Sequence, residues 1–399
     1  MNIFSKIYCR VYQTIFKWII PLMPYHEPQI LNSVLDIKNI LNEKNIDNVL
    51  LVTDKGIRSL GLTESLEKDL KDSGKNVFVF DETVPNPTIN NIEDAYKMYI
   101  DNSCQGIIAF GGGSVMDCAK VTGARVVNPK KSVQKMKGLL KVKKDLPLLI
   151  AIPTTAGTGS ETTVAAVITN PETHTKYAIN DFKLIPSYAV LDPTLTINLP
   201  KSLTATTGMD ALTHAIEAYI GNSTNKHTRH CSLEACRLIF ENLEKVYDDG
   251  KNERARAHML KASYMAGVAF TISYVGYVHA IAHSLGGKYN TPHGLANAVI
   301  LPYMLSEYGS TIYKKLKEIA VYSNIARPYE SDQIASSKLI NKILEMNEHF
   351  EIPKRFDFIN PDDISELASH ASKEGNPLYP VPKLMSAKEL EKIYYLISK

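Results

Sequence analysis

The chain has 399 residues, 44% of them hydrophobic and 22% charged, with a formal net charge of +3 from 45 basic and 42 acidic side chains. That apolar fraction excludes wholesale disorder, and 21 glycines with 20 prolines exclude collagen-like or low-complexity character. The near balance of charge argues against a nucleic-acid partner, and at about 150 residues per domain the length predicts two or three domains with a large core.

Residues 4–25, FSKIYCRVYQTIFKWIIPLMPY, are rich in apolar and aromatic side chains. Lys6, Arg10 and Lys17 interrupt the run, Pro21 and Pro24 follow it, and no uncharged stretch reaches the roughly 18 residues that span a bilayer. No small-residue cleavage pattern follows. Stable membrane insertion is therefore not expected. The segment reads as amphipathic, packed on the protein or on a partner subunit, with loose membrane association as the alternative.

The first half then alternates β-rich runs with helical patterns. Residues 48–53, 76–80, 106–110, 148–152 and 188–191 read as strands; 62–71 and 89–101 read as helices. Near-continuous apolar strands separated by helices predict a parallel sheet covered on both faces, with ligands beyond the C-terminal strand ends. From about Leu203 onward helical patterns dominate: 208–219, 230–247, 254–273, 279–286, 310–326, 331–349 and 387–397. The expected architecture is α/β plus all-α: a parallel-sheet domain over 1–198, then a helical domain over 199–399, with Leu199-Pro200 as the boundary and no flexible linker. Five cysteines, an odd count with no C-x-x-C pair, argue against a disulfide framework or a thiolate zinc site and point to a reducing cytoplasm.

Gly111, Gly112, Gly113 and Ser114 follow a strand and open a helix that carries Asp117. Glycines let a backbone approach an anion, and a helix N-terminus offers unpaired N–H groups, so the run can cradle a phosphate; a tight turn is the plainer reading. The sixth position is Met116, so this is not the G-x-G-x-x-G pattern. A second strand-end loop, 153–161, presents Thr154, Thr155, Thr158 and Ser160 between glycines. It can wrap a phosphate or ribose, or merely cap a helix. Two such loops suggest one extended ligand such as a dinucleotide. Asp54 closes the first strand; its carboxylate either accepts a ribose diol, favouring NAD over NADP, or caps a helix.

The metal candidates are Asp210 and His214, His279 and His283, and then His293 in a segment read as a loop. Residues four apart share a helix face. Two such pairs and a nearby histidine in an apolar setting point to a metal site of carboxylate and imidazole donors, suited to Fe²⁺ or Zn²⁺. Glu217 reads equally as a structural ion-pair partner or as a support for a ligand. The other histidines, His174 among them, are dispersed and read as ordinary polar residues.

The runs GGGSVMDCAK (111–120), IPTTAGTGSETT (152–163), GMDALTHAIEAY (208–219) and HAIAHSLGGKYNTPHGLANA (279–298) resemble the iron-containing (group III) alcohol dehydrogenase family. The resemblance spans about Gly56 to the C-terminus. It implies a Rossmann-like domain, a helical domain, and a metal in the cleft between them held by Asp210, His214, His279 and His293. It implies His283 beside the substrate, as a proton relay or a packed cleft residue. The glycine loop would hold the pyrophosphate, Thr154, Thr155 and Thr158 the nicotinamide side, with Lys176 and Asn86 near the cofactor. The expected reaction is hydride transfer between a primary alcohol or its aldehyde and NAD, with NADP as the lesser expectation. A polyol dehydrogenase on the same scaffold and a non-catalytic assembly protein are the competing readings. A cytoplasmic homodimer is the family expectation.

Overall fold

The computed structural model describes residues 1–20, 23–172 and 175–399; Pro21 and His174, noted in the sequence, lie outside them. The chain forms two compact units, Pro24–Ile197 and Met1–Met23 together with Asn198–Lys399. The expected division at 198/199 therefore needs one correction, at the N-terminus. Helix α1 (Ile3–Ile19) belongs to the helical unit, because Arg10 and Gln13 hydrogen-bond the backbone of residues 377–382 there.

The α/β unit runs β1 (Gln29–Leu31), α2 (Ile37–Glu43), β2 (Asn48–Val52), α3 (Lys55–Ser59), α4 (Glu64–Asp72), β3 (Asn76–Phe80), α5 (Ile89–Asp101), β4 (Gly106–Gly111), α6 (Gly113–Val127), β5 (Gly138–Leu139), β6 (Leu148–Pro153), β7 (Ala165–Asn170), β8 (Thr175–Asn180) and β9 (Tyr188–Val190). Six strands form one parallel sheet in the order β1-β9-β6-β4-β2-β3. Both faces are buried. Leu50, Val52, Ile107, Ala109, Leu149 and Ala151 enter one core cluster, and the alternate residues Val49, Leu51, Ile108, Phe110, Ile150 and Ile152 enter the other. That is the period-2 geometry of a strand with apolar neighbours on both sides, and it explains the unbroken apolar runs.

The chain leaves β2 toward β3 but leaves β4 toward β6, so strand order reverses between β2 and β4. Such a switch point leaves a crevice beyond the carboxyl ends of the strands, the usual ligand site of this architecture. Asp54 and Gly111–Gly113 follow those two strands. The sequence reading missed a small second sheet, β5-β8-β7, in which β7 and β8 pair antiparallel. Its half-exposed strands lack the apolar continuity that marked the others.

The helical unit adds α7 (Lys201–Ile220), α8 (Lys226–Asp248), α9 (Glu253–Ser273), α10 (Tyr277–Tyr289), α11 (His293–Tyr308), α12 (Tyr313–Tyr322), α13 (Asp332–His349), α14 (Ile364–Gly375) and α15 (Ala387–Ile397). α7 is buried almost all round. Its small residues permit this: a Cβ on Gly208 would stand 2.3 Å from Leu243 of α8. Helix α11 carries Pro302 in its interior, where proline cannot donate to the carbonyl four residues back. That carbonyl, of Ala298, is instead satisfied by the Asn347 side chain at 2.7 Å. Among the described residues no single helix is long and apolar enough to cross a membrane.

Candidate metal centre and cofactor loops

Asp210 and His214 project from one face of α7, His279 from the start of α10, and His293 from the first residue of α11. The expected loop at His293 is thus a helix start. Asn290 ends α10 in the left-handed region at φ 54°, and Pro292 is the N-cap of the new helix, in extended backbone at ψ 128°. One donor atom from each of the four residues lies within 4.8 Å of all the others. His279 Nε2 stands 3.8 Å from Asp210 Oδ1, and His293 Nε2 stands 3.4 Å from it. A cation with bonds of about 2.1 Å can bridge such a set after small side-chain adjustments.

The surroundings fit a cation. His279 is 2% exposed, and its Nε2 has no hydrogen-bond partner among the described residues. Glu217 accepts from His279 Nδ1 at 2.6 Å, which leaves Nε2 to face Asp210. The same carboxylate accepts the N–H groups of Gly276 and Val278, both at 2.8 Å. A buried imidazole whose outer nitrogen is held by a carboxylate is a familiar arrangement behind metal-ligating histidines. Burial, reinforced by the neighbouring imidazoles, holds His279 well below its ordinary pKa. Burial also takes His293 down to about 4, against the opposing pull of Asp210. Both are therefore neutral near pH 7, the form that binds metal. His214 stacks between Phe270 at 4.1 Å and His279 at 4.3 Å, which fixes its ring.

Three supports were not singled out in the sequence. Asn297 donates to Asp210 Oδ1 at 2.7 Å and lies 3.2 Å from His293 Nε2. It sits four residues after His293, a spacing that a prediction of α11 would have exposed. Glu374 accepts from His283 Nδ1 at 2.6 Å, and Tyr379 donates to the same oxygen at 2.6 Å. Glu374 is 91 residues from His283, so no local spacing could have linked the two. Desolvation lowers the His283 pKa, but the Glu374 charge and hydrogen bond outweigh it and leave the imidazole raised. His283 also stacks on His293 with ring centres 5.1 Å apart.

Gly294 shows how closely α11 must approach α7. A Cβ there would meet the backbone oxygen of Thr206 at 2.3 Å and would lie 3.4 Å from the Cβ of Asp210. Gly294→Ala must push the start of α11 away, and His293 with it. The expected result is a loss of about 1–3 kcal/mol in stability from overpacking and at least about tenfold weaker metal binding. Thermal unfolding and a metal titration measure the two.

In the α/β unit, β4 ends at Gly111 and α6 begins at Gly113 with Gly112 as its N-cap residue. A Cβ on Gly111 would stand 2.7 Å from Val115, and one on Gly113 would stand 3.1 Å from Thr158. The glycine turn is thus tight and brings the 153–161 loop against it. Thr154 is buried, and its N–H donates to Gly111 O at 3.2 Å. A Cβ on Gly112 would likewise stand 3.7 Å from Thr155. Ser114 accepts the Asn86 N–H at 3.2 Å, with Asn86 in the left-handed region at φ 57°.

Asp117 departs from the cofactor reading. Both its oxygens are engaged within the protein, by Ser160 Oγ at 3.2 Å and the Val167 N–H at 3.0 Å, so it positions the loop and β7. Buried Lys120 adds bonds to Thr163 O and Ala165 O at 2.9 and 3.0 Å. Asp54 is the N-cap of α3, accepting from Ile57 N at 2.9 Å through Oδ1. Lys176 lies on β8, on the small sheet.

Comparison with known proteins agrees with this geometry. The iron-containing alcohol dehydrogenase family model matches residues 31–193, and the C-terminal model of the Fe-containing alcohol dehydrogenase family matches 204–397. The chain is 38% identical over 335 residues to alcohol dehydrogenase 4 of Saccharomyces cerevisiae (strain YJM789), covering 83% of this chain and 86% of that protein. It is 35% identical over 383 residues to the 1,3-propanediol dehydrogenase of Citrobacter freundii, covering 95% and 98%. The solved structure of a 1,3-propanediol oxidoreductase matches with a TM-score of 0.89 at 35% identity, over 93% of this chain and 98% of that one. The chain belongs to the iron-containing alcohol dehydrogenase family, and it is an oxidoreductase acting on alcohols.

Proposed function

We propose that the protein transfers hydride between a primary alcohol, or its aldehyde, and NAD, with Fe²⁺ held by Asp210, His214, His279 and His293. Zn²⁺ is the alternative metal, since the donor set is oxygen and nitrogen without thiolate. The observation that carries this reading is the four-donor cluster, with Asp210, His214 and His279 buried and His293 at its half-buried edge, and with Glu217 fixing the outer nitrogen of His279. When bound, the cation supplies Lewis-acid polarisation of an alcohol oxygen, and the nicotinamide supplies the hydride acceptor.

The chain's own residues do the rest. Asp210 supplies the negative charge of the site and is oriented by Asn297. His283, tied to Glu374 through Nδ1, keeps Nε2 for the alcohol proton, and Glu374 stabilises the imidazole when it carries that proton. In the α/β unit the Gly111–Gly113 turn and the α6 N-terminus would take the pyrophosphate, and Ser114, Thr154, Thr155, Thr158, Asn86 and Lys176 the remainder of the dinucleotide. A diol is the second substrate reading, favoured by the propanediol enzymes that cover almost the whole chain. We extend the proposal to a cytoplasmic homodimer. The five cysteines are buried thiols, in keeping with a reducing compartment.

The test is anaerobic reconstitution with Fe²⁺ or Zn²⁺, followed by NAD⁺ or NADP⁺ and a panel of simple alcohols, diols and polyols. Metal-dependent appearance of reduced nicotinamide is expected; none with any substrate removes the reading. Cofactor choice has its own test. Asp54→Gly removes a strand-end carboxylate that would repel a 2′-phosphate, while glycine costs only a few tenths of a kcal/mol as an N-cap. The expected result is about tenfold or greater relief of discrimination against NADP. An unchanged ratio of kcat/KM values would show that Asp54 only caps α3.

A further inference from the structure

Helix α1 is fastened to its unit by its polar side. The Arg10 guanidinium donates to Val381 O at 2.7 Å and Pro382 O at 2.9 Å. Gln13 is buried and donates to Tyr379 O at 2.7 Å. Phe16 meets Tyr274 edge-on at 5.3 Å. The outward side is apolar: Ile3, Phe4, Ile7, Val11, Ile15 and Trp18 are all exposed, Phe4 by 78% and Trp18 by 74%. At 3.6 residues per turn these six fall in a stripe about 120° wide. This inverts the usual order of a surface helix, which hides its apolar stripe and shows its polar side. Nothing among the described residues covers the stripe.

Charge identifies the occupant. Lys6, Arg10 and Lys17 lie together along one flank of the stripe, and the first acidic residue of the chain is Glu27. A groove of about 440 Å³ adjoins that flank, lined by Lys6, Arg10 and Lys383 beside Ile7, Val11 and Leu384, with no acidic residue in its lining. Two carboxylates reach this flank from behind: Glu307 lies 3.6 Å from Lys383, and Glu389 is within electrostatic range of Lys6. Cations set against exposed apolar and aromatic side chains match a surface of anionic headgroups over acyl chains. A second copy of α1 would bring the same basic flank and no acidic side chain to meet it. At 17 residues the helix is suited to lie on a bilayer rather than cross it.

We propose that α1 is a peripheral docking surface for an anionic lipid bilayer, with Phe4, Ile7, Val11 and Trp18 entering the headgroup region and Lys6 and Lys17 meeting lipid phosphates. The surface is separate from the metal centre, so its failure and the failure of the dehydrogenase reading are distinguishable. Trp18 is the single tryptophan of the chain, so its emission reports α1 alone. The full-length protein is mixed with vesicles of phosphatidylcholine, with or without about one-third phosphatidylglycerol. A blue shift and co-sedimentation are expected with the anionic vesicles, lost at about 1 M salt and at least about tenfold weaker with neutral ones. Phe4→Glu combined with Ile15→Glu keeps the reporter and should weaken binding at least about tenfold while alcohol oxidation is unchanged. Lys6→Glu with Lys17→Glu should do the same. No shift with anionic vesicles, equal binding to neutral ones, or full binding by either variant overturns the proposal. So does a drop in assembly mass of the Phe4/Ile15 variant without vesicle binding by the parent, which would make the stripe a contact between copies.

Discussion

Replacing His214 with alanine is expected to strip the protein of its metal and abolish alcohol oxidation while leaving the helical unit folded. His214 is one of only four donors, so its loss should exceed the roughly 10–100-fold in metal affinity that removal of an outer partner costs. The fall in kcat/KM should be at least about 10³-fold, because the Lewis-acid contribution goes with the metal. The fold should survive because α7 buries Met209, Leu212, Ile216 and Tyr219 on its own account. The local cost is the ring stacked between Phe270 and His279, about 1–3 kcal/mol. Elemental analysis, circular dichroism and the alcohol assay separate these effects. Full metal content with full activity would sink the ligand assignment.

Much of this site was legible because the chemistry sits in period. Asp210 and His214 share a face through their spacing alone, and the apolar strands announced a sheet buried on both sides. What escaped had physical reasons. The start of α11 was hidden by Asn290, Pro292 and Gly294, which read as a turn, and its interior by Pro302, whose cost is offset by Asn347 from another helix. Asp117 looked like part of a phosphate cradle, yet it anchors β7 and the neighbouring loop, a partnership formed across 50 residues. The direction in which α1 shows its apolar side was also invisible. Amphipathicity gives a stripe, and only tertiary contacts through Arg10 and Gln13 decide which side faces inward.

Glu217 is the sharper test, because the sequence left it equally placed between an ion pair and a ligand support. In the structure it pairs with no lysine or arginine among the described residues and holds His279 instead. Its two oxygens accept three donors, the N–H groups of Gly276 and Val278 and Nδ1 of His279, and burial pushes its pKa up to about 7. A Cβ on Gly276 would lie 2.6 Å from the carboxylate, so the α10 start is moulded around it. Glu217→Ala leaves three buried donors without an acceptor and should cost about 3–5 kcal/mol, enough to threaten the fold. Glu217→Gln is the discriminating variant. Its single amide oxygen can keep Gly276 and His279 satisfied, but its NH₂ must then confront the Val278 N–H. The expected cost is about 1–3 kcal/mol in stability. Metal affinity should fall about 10–100-fold, because His279 loses the carboxylate that makes it a stronger donor. Thermal unfolding of the metal-free protein gives the first number and a metal titration the second. A Gln variant that binds metal as tightly as the parent while melting lower would reduce Glu217 to a structural anchor of α10. A variant that melts unchanged and binds metal weakly would isolate its effect on His279.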